Sequence, residues 1–146
     1  MAQNLIADLS LLPEEPLLMD IRIVIPNSTC VERAARWITE TFSRRWARQF
    51  QASATHLPPR CWIALKDEQI VGFAGWDGTA PGLFGPMGVS RQERGKGIGK
   101  ALLLACLWDM AKFGYKYAII WRAGPIEFYA KAVGAVSVPT FLKQVA

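Results

Sequence analysis

The sequence predicts a single domain of the α/β (α+β) class, in which short strands and helices share one core. Its length of 146 residues suits one domain. A content of 51% hydrophobic and 20% charged residues is ordinary for a globular protein. Short runs of strand-like hydrophobicity alternate with longer runs at helical spacing. Together these features exclude a disordered, collagen-like or coiled-coil chain.

The N-terminal part of the chain predicts a lead-in segment, a strand and two helices. Residues 1–19 have no clean hydrophobic period and are assigned as the lead-in segment. Residues 20–25 alternate isoleucines with polar positions and stop at a proline, which indicates a strand with one polar face. Thr29 followed by Glu32 forms a capping-box pattern, so a helix is expected to begin there. A second helical stretch should end before Pro58.

A hairpin and an irregular strand are expected next. Residues 61–65 and 70–76 are rich in apolar residues and flank a polar turn, which predicts two paired strands. The following candidate strand, residues 83–89, contains Pro86 and two glycines. Proline lacks a ladder donor and glycine weakens a strand, so we expect this strand to be bulged or unpaired on one side. A strand of this kind leaves main-chain donors and acceptors available.

The C-terminal part predicts one long helix and several short elements. Residues 98–113 are mostly apolar, which indicates a helix buried on several sides, and Gly114 is a typical helix stop. Residues 117–121 predict a buried strand. The remainder has room for a short helix from Pro125 to Val133 and at most two short strands, at residues 135–138 and 141–145.

Charge and cysteine content narrow the choice of partner and compartment. The formal net charge of +5 favours anionic partners without identifying one. Cys30, Cys61 and Cys106 are odd in number and far apart, so we expect neither a disulfide framework nor a metal site, and a cytoplasmic location is the simplest interpretation. The acidic first twenty residues lack the positive start of a secretory signal. No apolar run of about eighteen residues occurs, so no membrane helix is expected.

A glycine-rich segment is the most informative motif. Residues Arg94 to Lys100 read Arg-Gly-Lys-Gly-Ile-Gly-Lys and lie between a candidate strand and the apolar helix. Glycine permits backbone torsions closed to other residues, and a helix start offers unpaired N–H groups at a positive dipole end. The three basic side chains add charge of the matching sign. The segment therefore predicts a cradle for a pyrophosphate group.

Three other interpretations of this segment fit less well. A nucleoside-triphosphate loop needs a hydroxyl residue after its lysine, but Ala101 follows Lys100. A dinucleotide-binding fingerprint needs its third glycine at position 100, where the chain has lysine. A glycine-rich connection without a ligand would account for the turn but not for the flanking cations.

The pattern Arg-x-x-Gly-x-Gly, met at Arg94, Gly97 and Gly99, resembles the acyl-CoA-binding motif of the GNAT N-acetyltransferase superfamily. Phe128-Tyr129 followed by Gly134 is similar to the second signature of that family. The resemblance covers residues 20 to about 138. It implies a GNAT-like three-layer fold with a central mixed, mostly antiparallel twisted sheet between helices, splayed between the fourth and fifth strands.

The sequence departs from the family pattern at three points. Gly134 lies five residues after Tyr129 rather than four, and Ala135 stands where phenylalanine is common. Gly124 and Pro125 replace an asparagine that often begins the last helix. The chain also leaves little material for the family's final long strand, so that strand is either short or completed by a second copy in a homodimer.

The resemblance implies how acetyl-CoA, the acyl-donor cosubstrate, would bind. The pantetheine arm would pair with the irregular strand through main-chain groups of Met87, Gly88 and Val89. Phe128 belongs to the same expected binding set, and Arg94 would anchor the loop. The pyrophosphate would lie on Gly95, Lys96, Gly97, Ile98, Gly99 and Lys100.

The resemblance further implies acetyl transfer to a primary amine of a small molecule, peptide or protein, by direct attack in a ternary complex. By its match to the family tyrosine, Tyr129 is the candidate general acid that protonates the leaving sulfur. Two other roles stay open for Tyr129: packing in the core, or only hydrogen-bonding the sulfur. No metal is expected.

The general base and the acceptor site are open at this stage. Asp77 and Glu127 are the nearest acidic candidates for the base, with ordered water as the alternative. His56, the single histidine, lies in a loop, where histidine is usually solvated. Four tryptophans are candidates either for the acceptor site or for the core: Trp37, Trp46, Trp62 and Trp76.

Two rival functions are considered. The first is a non-catalytic acyl-CoA-binding or sensor domain of the same fold, which would bind the cosubstrate without releasing CoA. The second is a nucleic-acid-binding module. Against the second stand the modest charge and the absence of an aromatic-basic RNA motif, so no nucleic-acid partner is expected.

Overall fold

Seven strands form one sheet in the computed structural model, which describes residues 2–146. The strands are β1 (Gln3–Asp8), β2 (Arg22–Val24), β3 (Cys61–Lys66), β4 (Gln69–Trp76), β5 (Leu83–Val89), β6 (Tyr117–Ala123) and β7 (Val136–Ser137). Their order across the sheet is β2-β3-β4-β5-β6-β1-β7. Within these residues every neighbouring pair is antiparallel except β5 with β6, which confirms the mixed, mostly antiparallel sheet.

Helices cover both faces of the sheet. They are α1 (Ser28–Thr41), α2 (Arg44–Ala54), α3 (Ile98–Phe113), α4 (Ile126–Val133) and α5 (Val138–Val145), with two single-turn 3-10 helices at Leu9–Leu11 and Arg91–Glu93. Residues of α1 and α2 share one hydrophobic cluster with β3 and β4, centred on Ile38, Phe50 and Phe73. Residues of α3 and α4 form a second cluster with β4, β5, β6 and β1. The three-layer expectation is therefore confirmed.

The hairpin of β3 and β4 forms where its sequence predicts it. Cys61 faces Gly75 and Lys66 faces Gln69 across the ladder. The connecting residues, Asp67 and Glu68, have φ angles of 49° and 64°. Two successive residues with positive φ make the turn whose twist matches that of paired strands.

The gap between β5 and β6 is the feature that positions the site. These two strands pair only at Leu83↔Ile119 and Phe84↔Ile120. On the other side of β5, the ladder with β4 shifts register between Ala74 and Trp76, which leaves a bulge opposite. Beyond Phe84, within residues 2–146, no strand pairs with the edge of β5 that faces β6. This confirms both the irregular strand and the predicted splay, because β5 and β6 are the fourth and fifth of the strands that the sequence predicts.

The N-terminal segment differs from the expectation. No helix or strand is expected before residue 20, yet β1 lies between β6 and β7 in the sheet. Leu5 and Ala7 are fully buried and Leu9 nearly so, which makes this segment part of the core. The final strand β7 is short, and its neighbour in the sheet is β1 of the same chain.

Three local expectations are wrong, each for a capping reason. Helix α1 begins two residues earlier than the capping box predicts, because Asn27 Oδ1 accepts a hydrogen bond from the amide of Cys30 at 2.9 Å. Pro125 caps α4 instead of occupying its first helical position. Residues 138–145 form α5, not a strand, because the Ser137 hydroxyl accepts a hydrogen bond from the amide of Thr140 and Pro139 fits the first helical turn.

Candidate active site

A cavity of about 550 Å³ lies at the splayed edge of β5 and the start of α3. Phe42, Trp46, Glu93 and Pro125 contribute to its wall. Of the residues expected to bind acetyl-CoA or to act as the acid, all but Lys96 line this cavity: Met87, Gly88, Val89, Arg94, Gly95, Gly97, Ile98, Gly99, Lys100, Phe128 and Tyr129. The fold thus brings together residues from β5, the glycine loop and α4, which the sequence separates by about forty positions.

The glycine loop presents main-chain donors at the start of α3. Gly95 and Gly97 have φ angles of 78° and 89°, in the left-handed region that side-chain-bearing residues avoid. The amide of Ala101 donates to the carbonyl of Gly97 at 3.0 Å, so the helical ladder starts there. Within residues 2–146, none of the amides of residues 95–100 donates to a protein acceptor. These donors stand at the positive end of a 16-residue helix.

Side chains hold the glycine loop against the end of β5. Arg94 Nε donates to the carbonyl of Val89 at 3.1 Å. Glu93 accepts hydrogen bonds from Lys96 at 2.9 Å and from Lys66 at 3.2 Å. These two contacts hold the pKa of the Glu93 carboxyl below its ordinary value. The Lys96 ammonium is therefore paired with Glu93, and Lys96 does not line the cavity.

Strand β5 offers main-chain groups to the cavity from alternate residues. The amide of Ser90 donates to Val71 of β4 at 2.8 Å. Main-chain groups alternate in direction along an antiparallel ladder, so Gly88 also faces β4, while Met87 and Val89 face the open side. Gly88 has a different role: a Cβ at this position would lie 2.6 Å from Phe42 Cζ. Its small size lets the Phe42 ring form the floor of the cavity.

Tyr129 connects this cavity to a second one. Helix α4 places its ring edge-on to Phe84 and to Phe128, at centroid distances of 6.4 and 5.0 Å. The side chain is largely buried, and burial raises the pKa of Tyr129 to about 12. No hydrogen bond to the Tyr129 hydroxyl is present within the described residues. The phenol therefore keeps its proton, and the residue that carries it lines both cavities.

The second cavity, of about 430 Å³, opens where β5 and β6 diverge. It shares Trp46, Met87, Pro125 and Tyr129 with the first cavity. Its remaining wall comes from the start of α2, the turn before β5 and the end of β6, and includes Arg45, Gln49, Trp121 and Arg122. Among residues 2–146 no Asp, Glu or His lines it.

The candidate bases lie elsewhere. Asp77 accepts hydrogen bonds from Arg60 at 2.6 Å, from the Tyr115 hydroxyl at 2.9 Å and from the amide of Gly82 at 2.8 Å. This network fixes the turn between β4 and β5, and the Asp77 side chain is only 4% exposed. His56 lies 3.3 Å from the carbonyl of Asp77. Glu127 is exposed on α4, and none of the three lines either cavity.

The tryptophans and cysteines divide between site and core. Trp46 alone of the four named tryptophans lines the cavities. Trp37 packs on Phe42 and Phe73, Trp62 donates to Asp109 at 2.8 Å, and Trp76 is buried beside Tyr115. Burial raises the pKa of the Cys61 thiol to about 12 and that of Cys106 well above its ordinary value. Neither thiol lines a cavity, so neither has the exposure or the acidity of a nucleophile.

Several residues of the two cavities are not indicated by any sequence pattern, among them Phe42, Arg45, Glu93, Trp121 and Arg122. Arg45 is one of several arginines on its helix, and no local pattern separates it from solvated neighbours. Arg122 is distinguished by its backbone conformation and not by the sequence, since its φ of 50° is unusual for a residue other than glycine. These residues belong to the site because of tertiary contacts.

The described residues contain neither a group of metal ligands nor a helix that could span a membrane. Within residues 2–146, no three His, Cys, Asp or Glu side chains come close enough to hold a metal ion. No helix in that part of the chain has the length and apolar character to cross a bilayer.

Comparisons with known proteins agree with this arrangement. A model of the acetyltransferase (GNAT) family matches residues 28–135. A search of the curated proteins found no match. Among solved structures, a GCN5-related N-acetyltransferase from Sphaerobacter thermophilus is similar with a TM-score of 0.73 and 22% identity, over 92% of this chain and 47% of that one.

Two further solved structures contain a bound ligand of the expected chemistry. A GNAT family acetyltransferase from Brucella melitensis, in complex with acetyl-CoA, is similar with a TM-score of 0.61 and 17% identity, over 81% of this chain and 88% of that one. A GNAT family N-acetyltransferase from Escherichia coli, in complex with CoA, has a TM-score of 0.54 and 18% identity, over 70% and 62% of the two chains.

Identities this low show a shared fold and nothing finer. The chain spans about half the length of the Sphaerobacter structure that it resembles. The family model, by contrast, covers most of the chain, including β5, the glycine loop and α4. The chain therefore belongs to the acetyltransferase (GNAT) family.

Proposed function

We propose that this protein is an N-acetyltransferase that moves an acetyl group from acetyl-CoA to a primary amine by direct attack in a ternary complex. The observation that carries the proposal is the position of Tyr129. This residue lines both the cavity that contains the glycine loop and the second cavity, which would hold the acceptor. Two substrates that enter from the two cavities would meet at this residue.

The first cavity fits the chemistry of acetyl-CoA. The unpaired amides of residues 95–100 would hold the pyrophosphate, because they offer several N–H donors at a positive helix end. The outward main-chain groups of Met87 and Val89 would bind the amide groups of the pantetheine arm, as an added strand would. When bound, acetyl-CoA supplies a thioester whose acetyl group passes to the amine nitrogen as the sulfur leaves.

Tyr129 would supply the proton that the leaving sulfur needs. Burial holds its pKa at about 12, so the hydroxyl is protonated at any physiological pH. Its position in the walls of both cavities gives the proton a short path to the sulfur. A neutral thiol is a better leaving group than a thiolate, so this transfer lowers the barrier.

Deprotonation of the amine is left to solvent. An alkylammonium with a pKa near 10.4 is neutral in only about one part in 2,500 at pH 7, a cost of roughly 4.6 kcal/mol. No carboxylate or imidazole among residues 2–146 lines the second cavity. The amine must therefore enter in its neutral form or lose its proton to water in the cavity.

A screen with acetyl-CoA and a panel of small amines, peptides, polyamines and aminoglycosides tests the proposed function. Thiol release that depends on both substrates, together with an acetylated product in mass spectrometry, is the expected result. The rival sensor function predicts acetyl-CoA binding in calorimetry without thiol release for any amine. Finding neither binding nor release would contradict both functions.

Replacement of Tyr129 by phenylalanine tests its role. Tyr129→Phe removes the proton donor and keeps the ring, so kcat should fall by about 10²-fold while the KM for acetyl-CoA changes little. Tyr117→Phe is the matched control, because Tyr117 packs against Phe141 outside both cavities. A decrease of less than threefold in kcat for Tyr129→Phe would remove this residue from the mechanism.

We also propose a cytoplasmic location. The three cysteines are free thiols, and such thiols persist in a reducing compartment. Fractionation of cells that express the tagged protein, with the thiols counted by alkylation, measures both location and redox state. Cysteines found oxidised in a secreted fraction would contradict this assignment.

A further inference from the structure

We propose that the acceptor amine carries an anionic group, a carboxylate or a phosphate, and that Arg45 and Arg122 bind this group in the second cavity. The inference rests on the proposed function and specifies its acceptor. It is argued from the charge, pairing and backbone geometry of the cavity wall.

The wall of the second cavity comes from segments almost free of acidic residues. Helix α2 carries Arg44, Arg45 and Arg48 and no Asp or Glu. Strand β5 has no charged residue, and residues 117–125 have Arg122 as their single charge. In the turn between β4 and β5, the one acidic residue is Asp77, which forms an ion pair with Arg60. The cavity is therefore positive on the sides that an acceptor would contact.

Arg45 and Arg122 have no acidic partner. Within residues 2–146 the ion pairs join Arg22 to Glu68, Arg60 to Asp77, and both Lys66 and Lys96 to Glu93. Neither cavity arginine takes part in them. A guanidinium offers two parallel N–H donors to a carboxylate or phosphate, and such charge-assisted pairs are stronger than neutral hydrogen bonds. Both residues are exposed and line the same cavity, so their guanidinium groups are available to an anion that enters it.

The backbone at Arg122 is held in a special conformation. Its φ of 50° is in the left-handed region, and its amide donates to Asn4 Oδ1 of β1 at 2.9 Å. A non-glycine residue in this region costs free energy and persists only where its surroundings hold it. Here β1 holds the end of β6 in the shape that places Arg122 on the cavity wall.

The arrangement disfavours a polycationic acceptor. A polyamine or a lysine-rich peptide would bring further positive charge against two arginines, with no carboxylate in the cavity wall to accept it. The same arginines help a monoanionic acceptor that carries one amine. When the anionic group is a carboxylate, the two positive charges exceed the one negative charge that they bind, and the remaining positive charge favours the neutral form of the amine.

Matched acceptors test the charge preference directly. 6-Aminohexanoate, 6-aminohexanamide and 1,5-diaminopentane place a similar amine at the end of a similar chain but differ in charge at the other end. O-Phosphoethanolamine and ethanolamine form the corresponding phosphate pair. We expect each anionic acceptor to have a KM at least tenfold lower than its neutral counterpart, and the diamine to be the poorest. The pair with the larger ratio of KM values shows whether the site prefers a carboxylate or a phosphate.

Charge-removing variants locate the preference. Arg45→Gln and Arg122→Asn should each raise the KM for the preferred anion at least tenfold, with kcat within threefold and the neutral acceptor unaffected. Asparagine tolerates the positive φ at position 122. Arg48→Gln is the matched control, since Arg48 belongs to the same helix but lines a separate surface groove between α1 and α2. Arg45→Lys should recover part of the lost affinity.

Binding measurements separate failure of this inference from failure of the proposed function. Hexanoate and ethyl phosphate have the anionic group of these acceptors but no amine. We expect calorimetry to show that each binds the wild type more tightly than it binds Arg45→Gln. Anion binding without acetylation of any amine would contradict the proposed acetyltransferase function but would support the anion site at Arg45 and Arg122. Acetylation of neutral and anionic amines with equal KM, or no change of anion binding in both variants, would overturn the inference.

Discussion

At the scale of single residues, protonation decides what the site can do. Tyr129 and Asp77 illustrate opposite outcomes for groups that sequence reasoning places near the reaction. The Tyr129 hydroxyl has no protein acceptor in the described part of the chain, and burial keeps it protonated. Asp77 has three donors and lies outside both cavities, so it stabilises the β4–β5 turn instead of accepting a proton from an acceptor.

The pH dependence of the rate follows from this difference. Since no Asp, Glu or His of residues 2–146 lines the second cavity, kcat/KM should rise with pH until the pH reaches the pKa of the acceptor amine. The acid form of Tyr129 predominates below its pKa of about 12, so no falling limb should appear up to about pH 10. Initial rates from pH 6 to 10 with two amines of different pKa measure the rising limb and test for the absence of a falling limb. A rising limb at the same pH for both amines would reveal a base in the enzyme.

At the scale of elements, the start of α3 and the free edge of β5 together form the surface that we propose binds acetyl-CoA. The glycine loop turns the chain from β5 into α3 through two positive φ angles, and this turn leaves the first amides of the helix without protein acceptors. Arg94 ties the loop to Val89, so the donors of the loop stay in line with those of the strand. The geometry belongs to the pair of elements and not to either one alone.

Substitution at Gly97 should separate binding from folding. Gly97→Val forces a β-branched residue into φ 89° and should abolish acetyl-CoA binding in calorimetry. Gly114→Val introduces comparable strain at φ 121° at the other end of α3 and should leave the affinity unchanged. Lys96→Ala should also bind nearly normally, since Lys96 is paired with Glu93. Undiminished binding by a folded Gly97→Val protein would contradict the cradle.

At the scale of the whole molecule, the N-terminal strand completes the sheet. Strand β1 pairs with β6 along five residue pairs and with β7 along two. It also reaches the site, because Ala2 lines the second cavity and Asn4 accepts the amide of Arg122. The shape of the acceptor cavity thus depends on residues far from the glycine loop in sequence.

Truncation of Leu5 measures how much β1 contributes. Leu5 is fully buried, so Leu5→Ala should lower the free energy of unfolding by about 2–5 kcal/mol in urea denaturation. Leu17→Ala, at a fully exposed position, should change it by less than about 0.5 kcal/mol. Equal stability of the two variants would show that the core does not need β1.

The sequence by itself determines the elements whose causes are local. The hairpin at residues 61–76, helix α3 with its glycine stop, and the glycine loop at residues 95–100 all follow from turn residues, glycine torsions and hydrophobic spacing within a few positions. Even the irregularity of β5 is readable, because proline and glycine limit pairing wherever they stand. The family signature at Arg94, Gly97 and Gly99 belongs to this local class.

Only the tertiary structure decides which distant segments meet. The alternation in β1 is too weak to predict a strand, and its place beside β6 depends on a partner more than one hundred residues away. Arg45 and Arg122 likewise share a cavity because α2 and the end of β6 converge on the gap beside β5. Pairing energy between distant segments depends on complementary surfaces that exist only after the chain has folded, and no local pattern records them.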